Sequence, residues 1–276
     1  MNFDSFVSGI ERLRRLQPSA EPDDLLVVPR VESTNRLARS LAEVFEREAE
    51  SFPALLLLAL EQTGGRGRRG RSWSSPPGRG VYATRVVQID EPARLQRLPQ
   101  LVGLGLCAGL AAVADAAVRL KWPNDLVVEI EGKRRKLGGV LIESWTGSEG
   151  RTAACIGFGV NLSHEPGELP EQGISLHTLG YRAVDLPALA WSLTRSLEAE
   201  LRWLEDAGGS EGDDVGAEIL TRYRALSVHR PGEPMVCQVG EVEVAGTFQG
   251  FDEAGRLRLA TEAGERVLAA GEVIER

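Results

Sequence analysis

Gly64-Gly65-Arg66-Gly67-Arg68-Arg69-Gly70-Arg71-Ser72-Trp73 packs four arginines and four glycines into ten residues, and its reading decides the fold. Glycine lets a backbone bring its N–H groups close to a ligand. Arginine adds a fixed, forked positive charge that suits carboxylates and phosphates. The run is an anion site by composition, compatible with a nucleotide loop, a nucleic-acid patch or a solvated flexible loop. Residues 65–70 formally match the dinucleotide pattern GxGxxG and follow the wholly apolar run 54–60, which reads as a buried central strand. A dinucleotide loop, however, opens a helix whose N-terminus holds the pyrophosphate. Here the chain runs into Trp73-Ser74-Ser75-Pro76-Pro77-Gly78, which forbids a helix, and no Lys-Ser/Thr pair follows the last glycine, so a P-loop fails as well.

Downstream of the loop, strands are expected over residues 81–87, 118–121, 126–130, 136–145 and 152–162, with hairpin chemistry at 131–133 and 146–150. Upstream, 25–28 reads as a strand. Helical periodicity marks 6–16, a helix capped by Ser33 or Thr34, a buried helix over 101–117, and amphipathic helices over 186–207 and 215–226. The fold class is α+β, a mixed and largely antiparallel sheet with flanking helices. Near His229 the character shifts to short strands at 235–239, 242–251, 256–260 and 266–270, which suggests a small separate β barrel. Residues 1–229, with 1–24 as an N-terminal extension, form the large domain and 230–276 the small one.

A length of 276 residues, 42% of them hydrophobic and 26% charged, suits a soluble globular chain with a full core. The net charge of −8 argues against a protein built for the phosphate backbone. A second basic cluster, Lys133-Arg134-Arg135-Lys136, falls on an expected hairpin turn, where charge keeps the turn soluble. Cys107, Cys155 and Cys237 lie far apart in apolar segments and read as reduced core residues. No secretory signal or membrane span is evident, which places the protein in the cytoplasm. His164, His177 and His229 lack metal-ligand spacing and read as surface or satisfied histidines, and Trp191 and Trp203 as helix packing.

Three further groups follow the loop. Lys121-Trp122-Pro123-Asn124-Asp125 sets a cation, an amide and a carboxylate at a strand end; Lys136-Leu137-Gly138-Gly139-Val140-Leu141-Ile142-Glu143 opens the next strand; Gly157-Phe158-Gly159-Val160-Asn161-Leu162 adds small residues and an amide. With Ser33-Thr34-Asn35 and the stretch Gln62 to Trp73, in this order and spacing, the chain resembles the biotin protein ligases, closely over residues 31–162 and more loosely in the C-terminal strands. Gly138 stands where the family often has alanine.

The resemblance implies activation of biotin by ATP and Mg²⁺ to biotinyl-5′-adenylate, release of pyrophosphate, and transfer of biotin to a lysine on the biotin carboxyl carrier domain of a carboxylase. It implies an SH3-like C-terminal domain. Arg68 and Lys136 are the implied catalytic cations, Arg68 at the biotin carboxylate and α-phosphate and Lys136 where acid and phosphate meet. Implied biotin contacts are Ser33, Thr34, Asn35, Gln62, Gly65, Arg66, Arg68, Trp73, Lys136, Gly139, Gly157 and Gly159: Ser33, Thr34 and Gln62 near the ureido edge, the three later glycines leaving room for the rings, and Trp73 over the tail. Arg68, Arg71, Asn124, Asp125, Lys136 and Asn161 are implied ATP contacts, with Asp125 also offered to Mg²⁺. The segment ahead of Ser33 is too short for a helix-turn-helix domain, so no DNA partner is expected, while a homodimer through an edge strand stays open. The rival readings are a lipoate or octanoate ligase or transferase of the same fold, and a nucleic-acid-binding module. The loop, without an apolar anchor before Trp73, is expected to be mobile until ligand orders it.

Overall fold

Alternation of side chains along the strands divides the molecule into two faces. Phe3–Leu16 forms α1, Asp24–Val28 β1, Thr34–Arg47 α2, Leu55–Ala59 β2 and Gly80–Ile89 β3. Pro92–Val113 (α3) precedes Arg119–Lys121 (β4), Asp125–Ile130 (β5), Lys133–Thr146 (β6) and Thr152–Asn161 (β7), then Leu186–Ala207 (α4) and Asp213–Leu226 (α5). Pro234–Val239 (β8), Val242–Phe251 (β9), Leu257–Thr261 (β10), Gly264–Leu268 (β11) and Glu272–Ile274 (β12) complete the order. This computed structural model describes residues 1–16, 24–48, 55–89, 92–147, 150–165, 167–207 and 213–274. Part of the N-terminal extension, Ala54 and the 208–212 stretch fall outside them.

Strands β1-β2-β3-β7-β6-β5-β4 form one seven-stranded sheet. Only β1 and β2, joined through α2, run parallel; every other pair is antiparallel, giving the expected α+β class. On β7, Ala154, Ile156, Phe158 and Val160 point to the face covered by α1, α3 and α4, in the main core. The alternate residues Cys155, Gly157, Gly159 and Asn161 point the other way, where α2 covers Cys155 with Ala38 and Ala42. The ladder partners keep step: Glu143 faces Cys155, Leu141 faces Gly157 and Gly139 faces Gly159. One face is therefore bulky and sealed, and the other is floored by glycines beyond the end of α2.

Several expectations shift. Helix α3 begins nine residues before Leu101, carries Pro99 inside, and ends at Val113. Its glycines let α4 approach so closely that a Cβ at Gly109 would lie 2.8 Å from the Leu193 Cα, and that packing outweighs one missing proline N–H. Lys133 to Lys136 belong to strand β6, not to the turn, which is Glu131-Gly132 with φ of 50° and 73°. His164 and His229 are buried, at 6% and 3% exposure. Trp191 is buried and Trp203 packs under Arg222, so both serve packing. All three cysteines are free and buried.

The C-terminal strands form a five-stranded antiparallel sheet, β11-β10-β9-β8-β12, with the short β12 as a strand the sequence did not reveal. No ladder joins β11 to β12 among the described residues. Its core is continuous with that of the large sheet: the Tyr223 ring on α5 meets Phe251 at 5.3 Å, and His229 meets Phe248 at 5.7 Å. Among the described residues, no helix is long and apolar enough to cross a membrane.

Candidate active site

The arginine loop is held by its own ladder. Glycine backbones bond at close range: Gly64 N–H donates to the Glu32 carbonyl at 2.8 Å, Gly67 N–H donates to the Arg71 carbonyl at 2.7 Å, and the Gly65 carbonyl accepts from Trp73 N–H at 2.8 Å. These bonds anchor the loop through its backbone. A 3₁₀ turn at Arg68–Gly70 puts Arg69 at φ 58°, a left-handed conformation unfavourable for arginine. Arg69 is fixed there by the Gln238 and Gly240 carbonyls and by Glu272, all from the C-terminal sheet.

Fifteen of the sixteen residues singled out in the sequence line one cavity of about 230 Å³ on the glycine face of the sheet. The exception is Gly65, where a Cβ would meet the Trp73 carbonyl at 2.5 Å; its work is loop closure. Sequence reasoning missed Leu169, Pro170, Gln172 and Gly173, from the segment after β7, and Gly271, Glu272 and Val273 at β12. The bond of Lys136 N–H to the Gln172 carbonyl at 2.7 Å brings the first group in, a long-range contact that no local pattern encodes.

At the α2 end, the Gln62 side-chain carbonyl accepts from Thr34 N–H at 2.8 Å and from the Thr34 hydroxyl at 3.0 Å, while its amide donates to Ser75 at 3.0 Å. Ser33 is the helix N-cap residue but makes no capping bond. Asn35 is used fully by the protein: its amide donates to the Leu141 carbonyl and to Glu143, and its carbonyl accepts from Thr84 at 2.7 Å. The glycines make room first for these side chains. A Cβ at Gly157 would lie 2.2 Å from Asn35 Oδ1, one at Gly159 would lie 2.5 Å from Trp73 Nε1, and one at Gly139 would sit 3.4 Å from Lys136 Nζ.

At the other end, Arg68 donates to Asn124 Oδ1 and to the Gly271 carbonyl, both at 3.2 Å. Lys136 Nζ pairs with Asp125 Oδ1 at 2.6 Å and lies 5.3 Å from the Trp73 ring centroid. Asn124 is itself tied down through its amide to the Val140 carbonyl at 2.6 Å. Behind the turn, the buried His229 ring accepts the Trp122 N–H at Nε2, 3.1 Å away. Burial first, then Arg134, Lys121 and Arg230, pull the His229 pKa down to about 3, so the imidazole is neutral. Asn161 is 2% exposed; its amide donates to the Ile174 carbonyl at 3.0 Å, and its Oδ1 is a buried acceptor with no partner among the described residues.

The cations are sorted by partner. Arg66 pairs with Glu143 at 2.6 Å, and Arg69 and Arg71 pair with Glu272. Arg68 makes no ion pair among the described residues. Burial holds its pKa below the usual arginine value, against a weaker favourable pull from Asp125. Its charge is the one in the loop left for a ligand. The Mg²⁺ expectation fares differently. Asp125 Oδ1 is committed to Lys136, and among the described residues no cluster of three His, Cys, Asp or Glu could hold a metal ion. This donor set offers no all-protein metal cage; a Mg²⁺ carried by the nucleotide phosphates needs only one or two carboxylates.

Residues 27–161 match the profile of the Biotin/lipoate A/B protein ligase family. The biotin--[acetyl-CoA-carboxylase] ligase of Paracoccus denitrificans is 32% identical over 262 residues, covering 90% of this chain and 98% of that protein. The bifunctional ligase/repressor BirA of Escherichia coli (strain K12) is 32% identical over 254 residues, covering 90% of this chain and 72% of that one. The solved biotin protein ligase from Aquifex aeolicus in complex with biotin and ATP shares the fold, with a TM-score of 0.67 at 24% identity over 92% of this chain and 98% of that chain. The chain belongs to this family, among its biotin protein ligases.

Proposed function

We propose that this protein activates biotin with ATP and transfers it to a lysine of a biotin carboxyl carrier domain. The observation that carries the reading is the convergence of Arg68 on Asn124 and Lys136 on Asp125, two cations held at one turn beside a glycine-floored cavity under Trp73. In the first step the biotin carboxylate oxygen attacks the α-phosphorus, the bond to the β-phosphate breaks, and pyrophosphate leaves. Two anions must meet for this, and fixed positive charge lowers the barrier by neutralising them as they approach. Arg68 meets the carboxylate and α-phosphate, and Lys136 sits between them. In the second step the carrier lysine amine attacks the acyl carbon; the C–N bond forms, the C–O bond breaks, AMP leaves, and the amine proton is lost. No nucleophile from the enzyme is needed.

Trp73, Gly159 and Gly139 enclose the biotin tail and rings, with Thr34, Gln62 and Ser33 at the ureido edge; Gly65, Asn35 and Gly157 hold that wall in place. The unpartnered Asn161 Oδ1 suits a donor such as the exocyclic amine of adenine. Asn124 and Asp125 steady the nucleotide end by holding Arg68 and Lys136. Arg71 reaches the phosphates only by leaving Glu272. Residues 1–229 are assigned as the catalytic domain and 230–276 as the C-terminal domain. A cytoplasmic location is part of this reading, supported by the need for ATP, and the net charge of −8 supports a role without DNA. The outer edge of β1 has no strand partner among the described residues, which makes it the edge for a homodimer; light scattering tests this. The deciding experiment is biotin-dependent pyrophosphate release, with ATP-dependent labelling of a carrier domain by biotin against lipoate. Labelling by lipoate instead of biotin, or no pyrophosphate release, overturns the reading.

A further inference from the structure

We propose that Glu143 is a positioning residue that sets the closure of the arginine loop over the cavity. This rests on the proposed ligase reading for its consequence but not for its geometry. Glu143 lies on β6, on the face shared by Cys155, Gly157 and Gly159, at the boundary between the α2-covered floor and the cavity. A single oxygen, Oε2, accepts from Arg66 Nη2 at 2.6 Å and from Asn35 Nδ2 at 2.8 Å. Asn35 belongs to the first turn of α2 and is locked to β3 through Thr84, so one carboxylate joins the loop, the helix start and the sheet.

The charge has a second effect. Arg66 enters the cavity wall already neutralised by Glu143, and Arg69 and Arg71 by Glu272, which concentrates the loop's available charge at Arg68. Without Glu143, the Arg66 end of the loop loses its only ion pair among the described residues, and a second cation is released to compete for the substrate anion. The expected results are a loop that opens more often and an adenylate that escapes sooner.

Glu143→Gln separates positioning from mere packing. Its amide oxygen still accepts from Asn35, whereas the ion pair to Arg66 is gone. With wild type and Glu143→Gln, three quantities are measured: trypsin cleavage within residues 64–73 without ligand, release of preformed biotinyl-adenylate, and the thermal midpoint. The side chains of Arg66 and Glu143 are 42% and 31% exposed. For such a pair, about a fivefold rise in cleavage and in release is expected, with an unchanged midpoint. Unchanged cleavage and release in Glu143→Gln, or rates that rise only in step with a lowered midpoint, overturn the proposal. The proteolysis arm needs no ligand, so if the wild type never forms an adenylate the ligase reading fails while the Glu143 result still stands or falls alone.

Discussion

Comparing Arg68→Ala with Arg71→Ala tests whether partner chemistry, rather than mere membership of the loop, decides which arginine is catalytic. Arg68 is half-buried and bonded to two neutral oxygens, Asn124 Oδ1 and the Gly271 carbonyl, each at 3.2 Å. Its charge is offset by no ion pair among the described residues, so most of it is available to a bound anion, in the proposed reaction the carboxylate meeting the α-phosphate. Removing one pre-aimed donor of this kind costs about 3 kcal/mol of transition-state stabilisation, roughly 10²-fold in rate. Arg71 is 57% exposed and paired with Glu272. Its loss costs at most about 1 kcal/mol, roughly fivefold. The assay is the initial rate of biotin-dependent pyrophosphate release at saturating biotin and ATP. Thermal midpoints serve as a check that both variants fold, which is expected because neither side chain is in the core. The reasoning fails if Arg71→Ala is as slow as Arg68→Ala, or if Arg68→Ala keeps most of the wild-type rate.

Three other outcomes are expected. The His229 pKa lies near 3 in the fold, below its ordinary 6.5, so the unfolded chain binds more protons between those values and stability falls as pH drops through that window, by about 2 kcal/mol at pH 5. His229→Gln does not titrate there, and its urea midpoint should fall less than the wild type's between pH 7 and 5; parallel falls would refute the assignment. Gly159→Ala puts a Cβ 2.5 Å from Trp73 Nε1 and displaces the indole, so biotin affinity by calorimetry should drop at least about tenfold with the fold intact. Arg85 and Glu198 form a buried pair at 2.6 Å between β3 and α4. Arg85→Met strands a buried carboxylate and should cost about 3–5 kcal/mol in denaturant unfolding, most of it recovered by adding Glu198→Leu.

The sequence carried the site's local chemistry because that chemistry sits at strand ends and turns, where residue type and spacing are nearly sufficient. Ser33 to Asn35, the arginine loop, Trp122 to Asp125 and Lys136 are each recognisable from a few adjacent residues, although their side chains are held by partners far along the chain. The function of the glycines was half legible: alternation on β7 points Gly157 and Gly159 to one face, but only the packed fold reveals that Asn35 and Trp73 occupy the space they leave. Pairings across the chain were not legible. Glu272 stands on a three-residue strand with no periodic pattern to notice, and its carboxylate acquires meaning only when Arg69 and Arg71 are brought to it. Helix α3 shows the same limit, since Pro99 argues locally against a helix that close packing on α4 sustains.

The bond from Arg68 to the Gly271 carbonyl spans 203 residues of sequence. At ~5–20 residues per second of synthesis, the carbonyl is made roughly 10–40 s after the arginine. The cavity wall is therefore incomplete while the chain is growing, even though the seven-stranded sheet has all its strands before α4 is made. A nascent or prematurely ended chain can hold the whole glycine floor and still lack the carbonyl that holds the Arg68 guanidinium. If Arg68 acts as proposed, a chain that ends before Gly271 is expected to form adenylate more slowly than the full chain.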